Sequence, residues 1–339
     1  MDISAKHIQL DSTVAFAIYR LPGEADKTMI IQTGDASLLQ DNHFTRKGFA
    51  VQSFHPDEPS YFIEEQTCHI NPNWSFEILR SSDSKSTDKK KYLRKINKAI
   101  NDLNPEMLKV VLSRIKMVSR GDDPIPEVFD KMCDTYSNAF CYVIYAPSFG
   151  CWMGATPEPL LISTSKERMS TMALAGTQRY IKNSTPEWSE KEVDEQLIVT
   201  QYLRKQLISV GIDYVEYPVQ NMRIGPLLHL STTFEFGKTA PHSLLNVLHP
   251  TPAVCGMDKD QAQRYILKNE GYSRRFYTGF LGPTNHLGLA HFYVNLRCME
   301  VYQNTAKLYL GGGITSESNA EMEWAETEWK SEMMMNILR

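Results

Sequence analysis

Residues Gly311 to Lys330 read GGGITSESNAEMEWAETEWK, a glycine triplet followed by three charged groups at helical spacing. The run AKLYLGGGI at 306–314 reads as a strand, and the segment after it as the terminal helix. Glu323 and Glu326 are three residues apart and Lys330 is four beyond Glu326, so a helix stacks all three on one face. Trp324, Trp329 and Met333 to Met335 give the rest of that helix apolar surface, which implies burial. Buried carboxylates need a counter-charge. A divalent cation serves well, because it neutralises two glutamates and keeps positions open for an anionic ligand. Taken alone, the segment also fits a solvated helix whose Glu/Lys pairs contribute a few tenths of a kcal/mol each.

Working outward, the elements alternate without a regular βαβ rhythm. VAFAIYRL (14–21) and SYFIEE (60–65) fit strands of a partial sheet, and SSDSKSTDKKK (81–91) is polar, free of aromatics and reads as an exposed linker. YLRKINKAINDL (92–103) reads as helix and KVVLSR (109–114) as a short buried strand. PEVFDKMCDTYSN (126–138) reads as helix, and FCYVIYAP (140–147) and CWMGATPE (151–158) as strands meeting at a glycine turn. A long helix is expected from Thr185-Pro186 to just before Gly211, and HFYVNLRCMEVY (291–302) as one strand run. The pattern predicts a mixed α/β protein rather than a doubly wound one. Residues 1–80 are expected as scaffold strands of the same unit, 81–91 as the linker, and 92–339 as the catalytic region.

Composition narrows the class. A chain of 339 residues with 42% hydrophobic residues can bury a large core. Its net charge of -4 carries no electrostatic footprint for nucleic acid, and no stretch approaches the apolar length of a membrane span. The order of Asp2 and Lys6 before a short apolar run does not match a signal peptide, so a cytoplasmic protein is expected. Six cysteines show neither a CxxC pair nor zinc spacing, and are expected to stay reduced as small apolar residues.

Several polar residues stand where packing alone does not put them. Lys109 opens an apolar strand, Glu158 follows a proline in a turn, and Glu192 and Glu195 repeat the spacing of Glu323 and Glu326 on another helix. Two such pairs can surround one cation. A snorkelling lysine and an exposed turn carboxylate are the plainer readings of Lys109 and Glu158 in isolation.

Together, KVVLSR, GATPEPLL (154–161), ALAGTQR (173–179), HLST (229–232), LHPTPAVCG (248–256), RRFYTGFLG (274–282), VNLR (294–297) and GGGI with EMEWAETEWK resemble the chorismate-utilising enzymes. The motifs keep their order and cover about residues 90 to 335. The resemblance implies one α/β unit with two stacked, mostly antiparallel sheets, helices outside, and an active site in a cleft between the layers. Within the family a lysine at 109 resembles the members that add water, and Ala175 stands where aminodeoxychorismate synthase tends to carry lysine. Isochorismate synthase is the nearest match and salicylate synthase, which goes on to eliminate pyruvate, the next; an aminating member or a binder without turnover are further alternatives.

The resemblance also implies roles. Lys109 would deprotonate a water, and Glu158 would protonate the leaving hydroxyl of chorismate. Glu195 and Glu326, with Glu192 and Glu323 nearby through water, would hold Mg2+ on the ring carboxylate. Ala175, Gly176, Thr177, His229, Thr251, Tyr277, Arg297, Gly311, Gly312, Gly313 and Lys330 would bind substrate, the glycines through backbone N–H groups. No obligatory protein partner is implied, and the product would serve menaquinone or siderophore biosynthesis. Two positions depart from the pattern: Cys255-Gly256-Met257-Asp258 replaces a loop with two glycines and a proline, and Gln196 replaces a histidine.

Overall fold

The central strands are apolar on both faces. In Ala15–Arg20, Phe16 and Ile18 join one cluster of buried side chains, while Ala15, Ala17 and Tyr19 join another. In Phe140–Ala146, Cys141 and Val143 go one way and Phe140, Tyr142 and Ile144 the other. Because side chains alternate across a strand, a sheet of such strands must be covered on both sides. The computed structural model, which describes residues 7–182, 185–224 and 227–339, answers this with two stacked sheets and helices outside them. Asp2 and Lys6 lie outside the described residues.

The first sheet has nine strands in the order Gly256–Met257, Lys109–Ser119, Thr305–Ile314, Cys298–Val301, Gly150–Thr156, Phe140–Ala146, Ala15–Arg20, Thr28–Gln32 and Thr67–Ile70. The second has ten, from Tyr214–Glu216 through Leu227–Gly237, Arg168–Arg179, Pro159–Ser163, His291–Val294, Phe280–Thr284 and Gly48–Gln52 to Tyr61–Glu64 and Ser37–Leu38, with Gln220–Ile224 also on Leu227–Gly237. Neighbours in both sheets pair antiparallel. Between the sheets lies an aromatic layer that includes Tyr142, Trp152, Phe49, Phe140 and Tyr293, the last two stacked at 4.3 Å.

Among the described residues six α-helices cover the outside: α1 (Lys89–Asp102), α2 (Ile125–Thr135), α3 (Glu190–Ser209), α4 (Pro241–Leu248), α5 (Lys259–Asn269) and α6 (Ala320–Met335). Helix α2 and the end of α6 seal the nine-stranded sheet through Phe129, Met132, Met333 and Met334. Helices α3 and α4 seal the ten-stranded sheet through Val199, Leu203 and Leu245 against Phe234 and Phe236. Helices α1 and α5 pack on Val110, Leu112 and Ile314.

Three elements differ from the sequence reading. The run 291–302 is two strands, because the chain leaves the ten-stranded sheet after Val294 and enters the nine-stranded one at Cys298, with Arg297 in the left-handed region at φ 47°. The strand at Lys109 extends to Ser119, since its less buried second half also pairs with Thr305–Ile314. Helix α3 starts at Glu190 rather than near Thr185, because Ser189 and Glu192 form a capping box that fixes its first turn.

The stretch 81–88 carries no helix or strand and is mostly exposed. It lies along the edge of Lys109–Ser119, where Thr87 N donates to Ile115 O at 2.8 Å and Ile115 N donates to Thr87 Oγ1 at 3.0 Å. Strands from before residue 81 enter both large sheets. No helix among the described residues is long and apolar enough to cross a membrane. All six cysteines are free, five of them buried.

Candidate active site

Two chain crossings between the sheets build one end of a cavity. Gly150–Thr156 belongs to the nine-stranded sheet and Pro159–Ser163 to the ten-stranded one, so Pro157 and Glu158 bridge the layers. The crossing at Asn295–Arg297 runs beside it, and Val294 N donates to Glu158 O at 2.9 Å. Glu158 and Arg297 thus face one cavity, which Lys109, Ala175, Gly176, Thr177, Glu192, Glu195, His229, Tyr277, Gly311, Gly312, Gly313, Glu326 and Lys330 also line.

Lys109 enters the cavity from the first position of its strand, 2% exposed, and its ammonium makes no hydrogen bond or ion pair with any described residue. Glu158 is 4% exposed, and burial pushes its carboxyl up to about 8 although Arg297 and Lys109 pull it down. Burial disfavours the charged form of a carboxyl. At neutral pH Glu158 therefore keeps its proton, and the side chain is a proton donor at the cavity wall.

The glycine triplet has a steric reason. A Cβ on Gly311 would come within 2.8 Å of Tyr277 Oη, one on Gly312 within 3.0 Å of Glu323 Oε2, and one on Gly313 within 2.6 Å of Lys109 Cε. The triplet is strand, paired with Val111 to Ser113, rather than a cradle of three converging N–H groups. In an antiparallel ladder successive N–H groups point to opposite edges, so the three cannot all face one anion. Its backbone instead anchors Lys330, whose Nζ donates to Gly311 O at 2.9 Å and pairs with Glu326 at 2.5 Å.

Opposite Lys109, Arg168–Arg179 and Leu227–Gly237 lose register at Gly176, whose φ of 69° makes the bulge. His229 Nδ1 lies 3.0 Å from Gly176 O and 3.1 Å from Thr177 Oγ1. A carbonyl only accepts, so Nδ1 carries the proton and Nε2 is a bare acceptor, buried without a protein partner. Burial lowers this imidazole to about 3, and it stays neutral. Gln196 ties the bulge to α3, its Oε1 accepting from Ala175 N at 2.9 Å and its Nε2 donating to Thr232 Oγ1 at 3.1 Å.

The four glutamates come from the N-terminal halves of two helices seated on different sheets, α3 and α6, and Glu192 and Glu323 lie in the first turns, where the helix dipole favours anions. Glu195 and Glu326 line the cavity. Glu192 lines it too but also serves as cap, its Oε2 accepting from Ser189 N at 2.9 Å. Glu323 sits behind Gly312, 2% exposed; Oε1 accepts from Ser318 Oγ at 2.8 Å, and Oε2 is buried without a partner. Burial, then Glu326, raises the Glu323 carboxyl, whereas Glu326 is lowered despite its burial because Lys330 pairs with it.

This oxygen-only donor set, with one orphaned buried carboxylate oxygen, fits a hard divalent cation. No three acidic, imidazole or thiol groups among the described residues form a ready cage, and Mg2+ does not need one, since it binds through one or two carboxylates and keeps waters.

Thr251 and Glu323 are the two expected residues that do not line the cavity. Thr251 holds the loop that follows it, its carbonyl accepting from Val254 N at 3.1 Å and Cys255 N at 3.0 Å. In the same loop Gly256, at φ 137°, lets the backbone approach Lys109 O, which a Cβ would meet at 2.2 Å. Trp329, expected on the covered part of α6, is 41% exposed, with the Arg179 guanidinium 5.2 Å from its ring centroid. Lys191, Thr278 and Val254 line the cavity and were outside the sequence reading. Only Lys191 carries a local signal, four residues before Glu195 on the same helix face.

Residues 26–339 match the model of the chorismate binding enzyme family, and the chain belongs to that family. Among curated proteins it is 28% identical over 247 residues to isochorismate synthase EntC of Escherichia coli, covering 69% of this chain and 63% of that protein. It is 24% identical over 310 residues to the vibriobactin-specific isochorismate synthase of Vibrio cholerae, covering 85% and 78%. The chain thus spans less than two thirds of the first relative's length. Among solved structures, a putative 2,3-dihydroxybenzoate-specific isochorismate synthase from Bacillus anthracis superposes with a TM-score of 0.76 at 22% identity, covering 96% of each chain. Anthranilate synthase component I of Streptococcus pneumoniae superposes at 0.67 and 16%, covering 96% and 92%, so the fold is shared with an enzyme of another name.

Proposed function

We propose that this protein is an isochorismate synthase, an isomerase that converts chorismate to isochorismate by adding water at ring C2 with loss of the C4 hydroxyl. The observation that carries the reading is the pairing of Lys109 with a protonated Glu158 in one cavity. A lysine rather than an amide at the first position supports water as nucleophile, and the named relatives support the same chemistry.

In this reading Lys109 Nζ takes a proton from the water, and Glu158 gives its own to the departing hydroxyl. The two groups end a cycle with protons exchanged, and a proton transfer through solvent resets them. Arg297, whose Nε is buried without a partner, answers a substrate carboxylate, and Tyr277 closes the cavity from its stack on Tyr309, 5.5 Å away. The bare Nε2 of His229 accepts from a substrate hydroxyl. Mg2+, held by Glu195 and Glu326 with Glu192 and Glu323 behind water, supplies a positive charge for the ring carboxylate when bound.

The test is to incubate the protein with chorismate and Mg2+ and identify the products by chromatography. Isochorismate alone supports the proposal. Salicylate with pyruvate assigns the protein to the salicylate-forming reaction, and absence of turnover removes the catalytic reading.

A further inference from the structure

Lys191 lines the cavity, and the proposed reaction does not use it. It stands in the first turn of α3, between the capping Ser189 and Glu195, and its Nζ is 3.2 Å from Glu323 Oε1 on α6. It lines the same cavity as Glu192, Glu195 and Glu326. The pair is also a tie between the two helices, and thereby between the two sheets. The side chain is partly exposed, with a flexible stem and room to swing toward solvent.

These are the same carboxylates that would hold the divalent cation. We propose that Lys191 is a tethered counter-ion: its ammonium occupies the carboxylate cluster when no metal is bound, and must move away before a divalent cation can settle there. This rests on the magnesium reading above. The geometry favours competition over cooperation, because Lys191 is paired with one of these carboxylates and lines the same cavity as the other three. An ammonium and a divalent ion sharing the same carboxylates repel one another at short range in a partly desolvated site. Lys330 differs, being fixed to Gly311 O as well as to Glu326 and more deeply buried.

The consequence has a sign. Removing the ammonium should tighten metal binding and weaken the metal-free protein, whereas a lysine that merely orients Glu323 for the metal would give weaker binding when removed.

The test is calorimetric titration of Mg2+ alone into chelator-treated parent, Lys191→Met and Lys191→Arg, with thermal unfolding of each in chelator and in saturating Mg2+. Lys191→Met should bind Mg2+ roughly tenfold more tightly than the parent, equivalent to about 1.4 kcal/mol, and Lys191→Arg should stay near the parent. In chelator Lys191→Met should unfold at lower temperature than the parent, and added Mg2+ should close that gap. Lys191→Gln gives the same comparison if the methionine variant does not fold. Equal or weaker Mg2+ binding in the neutral variants overturns the counter-ion role while leaving the metal site standing. Absence of Mg2+ binding in every protein overturns the magnesium reading and this inference with it.

Discussion

Replacing Glu158 with glutamine should abolish turnover and stabilise the fold, by an amount that grows with pH. Burial keeps the Glu158 proton in place until about pH 8, against an ordinary value of 4.5. Above pH 4.5 the unfolded chain releases that proton while the folded chain retains it, so folding becomes steadily less favourable until the folded carboxyl also ionises near 8. At 1.36 kcal/mol for each pKa unit, the cost is roughly 3 kcal/mol at pH 7 and about 5 kcal/mol above pH 8, as orders of magnitude. Glutamine has nearly the same shape and no proton to lose. The stability difference between variant and parent should therefore be smallest near pH 4.5 and rise by a few kcal/mol toward pH 8, read by urea unfolding at several pH values. His229 and His249, held neutral by burial down to about 3 and 4, act on both proteins alike and leave the difference largely untouched. A difference that does not change with pH would refute the claim that this carboxyl is protonated in the fold.

Lys109→Gln should lose roughly 10²–10⁴ in turnover, the usual worth of a general base, while chorismate binding measured by calorimetry persists; near-parental turnover would remove Lys109 from its role. Gly313→Ala puts a methyl 2.6 Å from Lys109 Cε and should lower kcat more than it lowers thermal stability, because the flexible end of a side chain yields. Turnover should fall as pH rises through about 8, where Glu158 loses its proton, and a flat profile to pH 9 or so would point to another acid. With the opposing Glu158 carboxyl removed, Glu158→Gln should lose stability as pH falls below about 6.5, since unfolding frees the buried His229 and His249 to charge; a denaturation midpoint constant from pH 6.5 to 5 in that variant would contradict their buried neutral state.

Much of the site was readable because it is written in short local signals. The i,i+3 glutamate pairs and Lys330 follow from helix geometry alone, and the order of strands and helices pointed to a mixed α/β protein, whereas the stacked antiparallel sheets were implied only by the family resemblance. What was not readable depends on partners distant in sequence. The break at Asn295–Arg297 is made by the exchange of one sheet for the other, and nothing in the apolar run FYVNLRCMEV marks the position. The triplet was legible as strand, but that its N–H groups point to opposite edges and form no cradle is set by pairing with a strand about 200 residues earlier. The start of α3 was legible as Ser189-x-x-Glu192 but was masked by the stronger-looking Thr185-Pro186. Lys191 gave a signal that means little until α6 is known to bring Glu323 beside it.

The central claim is that Lys109 activates water for attack at C2 while Glu158 discharges the C4 hydroxyl. Turnover of chorismate in ¹⁸O-labelled water tests it directly, with mass spectrometry locating the label in the product. The account predicts isochorismate carrying the heavy isotope at the C2 hydroxyl and no retained C4 oxygen; unlabelled isochorismate, which would require the original hydroxyl to migrate, would contradict it.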